Sequence, residues 1–217
     1  MTITVVGHGY VGLVTACVFA DFGNHVWVIG HTKEKIAHLK NGDPIIYEPG
    51  LKELLQKNIQ AKRISFTLKY EKAIPESDIV FITVGTPPKE TGEADLTAVI
   101  EVARNIGKNL KNKFTVVSCK STVPVGTNRK LEVIISKHKS KQVDFAVASC
   151  PEFLREGTGI SDTINADRVV IGSDNKQAIE KLIILHKPIN GKRVITNLAS
   201  AEMIKYASNV FLANKIS

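Results

Sequence analysis

Six residues near the N-terminus, Gly7-His8-Gly9-Tyr10-Val11-Gly12, have the spacing of a turn that holds a pyrophosphate. Gly7 permits the tight turn, Gly9 lets the backbone approach the phosphates, and Gly12 lets a following helix pack on its strand. That helix would present N-terminal amides and a partial positive charge to the anion. A glycine triplet alone is weak evidence. Here it follows the apolar run Ile3–Val6 and precedes an apolar helical stretch, the context the fingerprint requires. The same fingerprint calls for an acidic residue at the end of the second strand, where it would bind the adenosine ribose. The sequence has Gly30-His31-Thr32 there. Weak NAD binding, NADP with His31, Thr32 or Lys33 at a 2′-phosphate, and a variant site are the alternatives, with NAD the favoured cofactor.

Two more groups could do chemistry. Lys205 and Asn209 are four residues apart in a helical pattern and so share a face. A cation and an amide placed in this way can donate to one developing oxyanion. Glu152 and Glu156 follow a strand at its carboxyl end, where open α/β sheets bind ligands. A carboxyl in a partly dry site can take an acid–base role. Taken alone, the first pair reads as a solvated lysine and an unrelated asparagine, and the second as loop glutamates. Thr122, ahead of Pro124, reads from its residues as a turn position that could orient a water or touch a nicotinamide.

The elements that must position these residues alternate in kind. Short Val- and Ile-rich runs occur at Ile3–Val6, Val26–Ile29, Ile64–Thr67, Ile79–Val84, Phe114–Ser118, Phe145–Ala148 and Val169–Ile171. Helical patterns separate them at about Tyr10–Phe22, Lys33–Asn41, Thr97–Leu110, Asn128–Lys137 and Lys176–Lys187. Apolar strands alternating with helices predict an α/β fold, a doubly wound parallel sheet of Rossmann type covered on both faces. Residues 1–197 form the expected dinucleotide-binding domain. Residues 198–217 are expected to begin a longer connecting helix, since Ala199–Ser217 ends without a cap, Gly or Pro.

Composition narrows the function classes. Hydrophobic residues at 43% and charged residues at 23% suit a folded domain, and no apolar run is long enough to span a membrane. The absence of a secretory signal pattern points to a cytoplasmic protein. The net charge of +8 comes from lysines scattered over the helices, so a nucleic-acid partner is not expected. Cys17, Cys119 and Cys150 have no metal-ligand spacing, so neither a metal site nor a disulfide framework is expected. Cys17 and Cys119 read as buried, unreactive thiols.

The blocks Gly-His-Gly-Tyr-Val-Gly-Leu (7–13), Pro-Ile-Ile-Tyr-Glu-Pro-Gly-Leu (44–51), Val-Gly-Thr-Pro (84–87) and Gly-Glu-Ala-Asp-Leu (92–96) stand in a familiar order. Lys-Ser-Thr-Val-Pro-Val-Gly-Thr (120–127), Pro-Glu-Phe-Leu-Arg-Glu-Gly (151–157), Asp-Arg-Val-Val-Ile-Gly (167–172) and Ala-Glu-Met-Ile-Lys-Tyr-Ala-Ser-Asn (201–209) continue it. Along nearly its whole length the chain resembles the UDP-glucose/GDP-mannose dehydrogenase family. The resemblance implies a four-electron oxidation of a nucleotide sugar at C6, with two NAD reduced and an aldehyde captured by a cysteine. It implies cofactor contacts from Gly7, Gly9, Tyr10, Val11, Gly12, Lys35, Thr86, Thr122 and Glu156. It places Phe153, Leu154, Arg155 and Glu156 at the substrate, Glu152 as a general acid–base group, and Lys205 and Asn209 at both substrate and developing oxygen charge, with Thr122 among the catalytic groups.

UDP-glucose is the substrate this resemblance favours. GDP-mannose or UDP-N-acetylmannosamine, or a degenerate cofactor-binding module, are the alternatives. The resemblance further implies a homodimer, and a second, UDP-binding domain beyond Ser217 that would carry the nucleophilic cysteine. Cys150 departs from the family pattern, which has Asn before Pro-Glu-Phe-Leu. It reads as a substitution at the edge of the site, with a displaced nucleophile as the other reading.

Overall fold

The computed structural model describes residues 1–111 and 113–216. The helical expectation for Ser217 therefore lies outside the described residues. Eight strands form one sheet: β1 (Thr2–Val6), β2 (His25–Ile29), β3 (Ile64–Thr67), β4 (Ile79–Ile82), β5 (Thr115–Cys119), β6 (Phe145–Ser149), β7 (Asn165–Gly172) and β8 (Asn190–Thr196). The helices are α1 (Tyr10–Asp21), α2 (Lys33–Lys40), α3 (Leu51–Gln60), α4 (Tyr70–Ala73), α5 (Thr97–Asn109), α6 (Thr127–His138), α7 (Gly159–Ile164), α8 (Lys176–Leu185) and α9 (Leu198–Ile216).

The strand order is β3-β2-β1-β4-β5-β6-β7-β8. From β3 to β6 every pairing is parallel, and the order reverses between β1 and β4. This is the doubly wound arrangement expected from the alternating runs. β7 and β8 pair parallel to each other, but β7 meets β6 antiparallel through Ser149 and Gly172.

Period-2 alternation explains why the strands read as continuously apolar. Ile3, Val5, Ile79, Phe81, Val116 and Ala148 enter one core with α1, α3 and α8, while Val6, Val80, Ile82, Val117 and Val147 enter a second with α5 and α6. α1 is buried almost throughout, from Gly12 to Ala20, which fixes its N-terminus at the end of β1. α3, α4, α7 and β8 are elements that no apolar run in the sequence announced.

Candidate functional site

The glycine turn sits at the reversal of strand order, and its three glycines have three different surroundings. Gly7 has φ +121°, and a Cβ there would lie 2.7 Å from Thr83 Oγ1. A Cβ on Gly12 would lie 2.3 Å from the Gly7 carbonyl oxygen and 2.6 Å from Thr83 Oγ1. Around Gly9 nothing lies within 4 Å of that position. Gly9 caps α1 with extended backbone and no side-chain acceptor, and the first turn of α1 has no acidic residue. The leading amides of that helix have no intrahelical partner and open onto the clear side of the turn. A pyrophosphate fits this cradle.

Thr83 seals the turn from β4, with its hydroxyl donating to the Val6 carbonyl at 2.9 Å. Sequence reading did not single it out. Beyond it, Thr86 Oγ1 donates to the Thr122 carbonyl at 2.8 Å, joining the loops after β4 and β5. These two expected cofactor contacts are thus brought together. Val11 is half-buried at the start of α1 and Lys35 is exposed on α2.

Tyr10 plays a part the sequence did not disclose. Its hydroxyl donates to Glu48 Oε2 at 2.7 Å and lies 2.9 Å from the Arg155 carbonyl. Burial, followed by the hydrogen bond to Glu48, pushes the phenol up to about 12. Glu48 is buried and also accepts from the Gly157 and Ile160 amides. The Tyr10 side chain therefore struts the 151–157 loop, and only its backbone amide is left to the phosphate turn.

In that loop Glu152 and Lys205 meet, with Oε1 and Nζ 3.0 Å apart and both side chains largely buried. Glu152 Oε2 also accepts from the Leu154 amide at 2.6 Å. Two cations approach the Phe153 ring, Lys205 Nζ at 5.3 Å and the Arg168 guanidinium at 4.2 Å from its centroid. Arg168 in turn donates to Ser208 Oγ at 3.1 Å. α9 is held for this contact by Glu202, three residues before Lys205. Its buried carboxylate accepts from the Gly126 and Asn128 amides and from Asn128 Nδ2, at 2.6, 2.7 and 2.7 Å.

A cavity of about 700 Å³ lies beside the 151–155 segment and is separate from the glycine turn, none of whose residues lines it. Glu152, Phe153, Arg168 and Ser208 line it, together with Lys120, whose amine is pushed below its ordinary range chiefly by burial. Arg168, Ser208 and Lys120 lay inside blocks of the sequence that were recognised, but nothing in their spacing marked them.

Three of the expected residues lie outside the buried Glu152–Lys205 contact. Asn209 is exposed, like the rest of residues 209–216 on α9, and does not share the buried position of Lys205. The cavity wall on α9 is made by Ala207, Ser208, Phe211 and Leu212 instead. Arg155 points its guanidinium at Asp162, with contacts of 2.7 and 3.1 Å, and so is already engaged. Glu156 is exposed at the loop surface. Leu154 is half-buried and lines the cavity with Phe153.

All three thiols are buried. Cys17 and Cys119 are buried and pushed up to about 12, chiefly by burial. Cys150 is buried at the end of β6, and burial raises it too, against the opposing effects of Ser118 and Lys120. A buried thiol held in its protonated form is poorly suited to act as a nucleophile, although Cys150 lies in the wall of the cavity.

Comparison with known proteins agrees with this geometry. Residues 1–190 match the UDP-glucose/GDP-mannose dehydrogenase family, NAD binding domain. The chain belongs to this family. It is 50% identical over 215 residues to the UDP-glucose 6-dehydrogenase TuaD of Bacillus subtilis, covering 99% of this chain and 46% of that protein. Among solved structures, a UDP-glucose dehydrogenase from the archaeon Pyrobaculum islandicum superposes with a TM-score of 0.95 at 40% identity, covering 98% of this chain and 50% of that one. A GDP-mannose dehydrogenase from Pseudomonas aeruginosa, solved as a ternary complex, gives 0.97 at 37%, covering 100% and 51%. The chain thus spans about half the length of the family relatives it matches. Among the described residues no helix is long and apolar enough to cross a membrane.

Proposed function

We propose that this chain is the dinucleotide-binding half of a nucleotide-sugar 6-dehydrogenase that oxidises the C6 hydroxyl of UDP-glucose to the carboxylate of UDP-glucuronate. The observation that carries the proposal is the buried Glu152–Lys205 pair, 3.0 Å apart, on the loop that Tyr10 ties to the phosphate turn. The amides of Tyr10, Val11 and Gly12 would hold the pyrophosphate, and Thr86 and Thr122 would border the nicotinamide end. When bound, an NAD-type dinucleotide supplies the hydride acceptor.

The protein's own residues would handle charge and protons. The Lys205 ammonium, buried beside the Phe153 ring, stabilises negative charge on the sugar oxygen. Glu152 is held by the Leu154 amide within reach of Lys205, which suits it to exchange a proton with substrate or water. The three cysteines are buried and offer no exposed thiol to capture an aldehyde, so the thiol step of the family reaction is not assigned to these residues. The family resemblance carries with it a homodimer acting in the cytoplasm. GDP-mannose is the second reading, favoured by the equally close superposition on the Pseudomonas aeruginosa enzyme.

Calorimetric titration of the chain, saturated with reduced dinucleotide, against UDP-glucose, GDP-mannose and UDP-N-acetylmannosamine tests the proposal. UDP-glucose should bind most tightly, and Lys205→Ala should weaken it by about tenfold or more, on the scale of a lost charged hydrogen bond. Indifference of all three ligands to Lys205→Ala would sink the assignment.

A further inference from the structure

At the end of β2 the position that usually holds a ribose-binding carboxylate is Gly30, and the structure has closed around the missing side chain. A Cβ there would lie 2.6 Å from Ile36 Cδ1 and 3.4 Å from His8 Cδ2, the ring carbon bonded to Nε2. His8 is only 4% exposed, and its Nε2 has no hydrogen-bond partner. The exposed His31 ring packs edge-on against it, with centroids 4.8 Å apart. Thr32, the cap of α2, makes no side-chain capping bond, so its hydroxyl and the leading amides of that helix remain available. Lys35 projects from the first turn, where the exposed Glu34 is the one opposing carboxylate. Both His31 and Lys35 act electrostatically on His8, making its protonation harder, after the larger effect of burial.

We infer that this pocket accepts the 2′-phosphate of an adenosine ribose, so that the chain binds NADP(H) at least as tightly as NAD(H). The inference rests on the dinucleotide reading of the glycine turn. A carboxylate at residue 30 would accept from a free 2′-hydroxyl and repel a phosphate. Here two imidazoles stand beside a glycine, a hydroxyl and a helix N-terminus lie next to them, and a lysine lies within electrostatic range. The lysine and the helix end supply positive potential, and the hydroxyl and a neutral imidazole N–H can each donate a hydrogen bond to a phosphate. A free 2′-hydroxyl would leave the buried His8 Nε2 with a weaker partner.

Fluorescence titration of the chain with NADPH and NADH, and calorimetry with 2′,5′-ADP against 5′-AMP, tests this without any turnover. The phosphorylated member of each pair should bind as tightly or more tightly. His31→Ala should weaken NADPH by about tenfold while leaving NADH unchanged. Gly30→Asp should reverse the preference, since the Ile36 tip it displaces is the far end of a flexible side chain. Should that variant not fold, His31→Ala still decides. NADH binding with NADPH about tenfold weaker, or equal losses of both in His31→Ala, overturns the inference and leaves the dinucleotide groove standing. Binding of neither cofactor overturns both.

Discussion

Gly9 and Gly12 are the same residue type under opposite constraints, and the difference can be measured. Gly12 has no room for a methyl group, because the obstacle at 2.3 Å is backbone. Gly12→Ala should cost about 2–4 kcal/mol, the scale of overpacking combined with a backbone shift, read from urea denaturation. Gly9→Ala should fold with stability within about 0.5 kcal/mol of the parent, as surface substitutions do, and yet lose dinucleotide binding. Loss of stability in both variants, or of binding in neither, would remove the distinction between them.

Lys205 supports a second prediction at this scale. Removing one partner of a buried ion pair leaves the other charge stranded, so Lys205→Met should destabilise the chain by about 3 kcal/mol. Adding Glu152→Gln should restore much of that in a double-mutant cycle. Additive losses would mean the two side chains do not interact. The sequence made Glu152 and Lys205 legible as blocks with chemistry. It could not show that they touch each other, or that Arg168 and Lys205 approach Phe153, since those contacts join residues distant along the chain.

Among the elements, α9 is tied to α6 by a single carboxylate. Glu202 accepts three hydrogen bonds from the start of α6, where a negative charge also meets the positive end of the helix. Glu202→Gln preserves shape but not charge, and should cost about 1–3 kcal/mol. Hydrogen exchange should show the loss concentrated in α9 and the first turn of α6, with the sheet protected as before. A uniform loss would make Glu202 an ordinary core contact. Helices and strands with long apolar patterns were legible because periodicity reports burial. α3 was hidden because only Leu51, Leu55 and Asn58 are fully buried in it, and the half-exposed edge strand β8 carries Lys192 and Arg193 where a core strand would carry aliphatics.

For the whole molecule, the glycine turn marks the start of a doubly wound sheet: with β1 ending at Val6, right-handed crossovers leave only a handful of arrangements for β1 to β6. What sequence could not yield is the set of buried charges this packing creates, and these govern acid stability. His186 is buried against the Phe19 and Phe81 rings, its Nδ1 donating to the Leu182 carbonyl at 2.7 Å. Burial, followed by the charge of Lys120, pushes it down to about 3. The unfolded chain binds that proton near the ordinary histidine value of about 6.5, so between about 6.5 and 3 unfolding takes up a proton. Stability must therefore fall as pH drops through that window, with a slope approaching 1.4 kcal/mol per pH unit, or about tenfold in the folding equilibrium.

Asp78 acts lower on the scale. Burial raises its carboxyl, but the Thr2 amide, Lys113 and Lys181 outweigh burial and hold it below the usual range. Its contribution is present above the ordinary carboxylate value and is lost as pH falls through the depressed one. The two groups therefore separate by window. His186→Leu should flatten the decline in urea midpoint between about pH 6.5 and 5, where carboxylates remain ionised, and leave the steeper loss near pH 3 in place. Asp78→Asn should do the reverse, lowering stability at neutral pH and softening only the most acidic limb. A His186→Leu chain whose midpoint declines from pH 6.5 as steeply as the parent would show that another buried base takes up the proton.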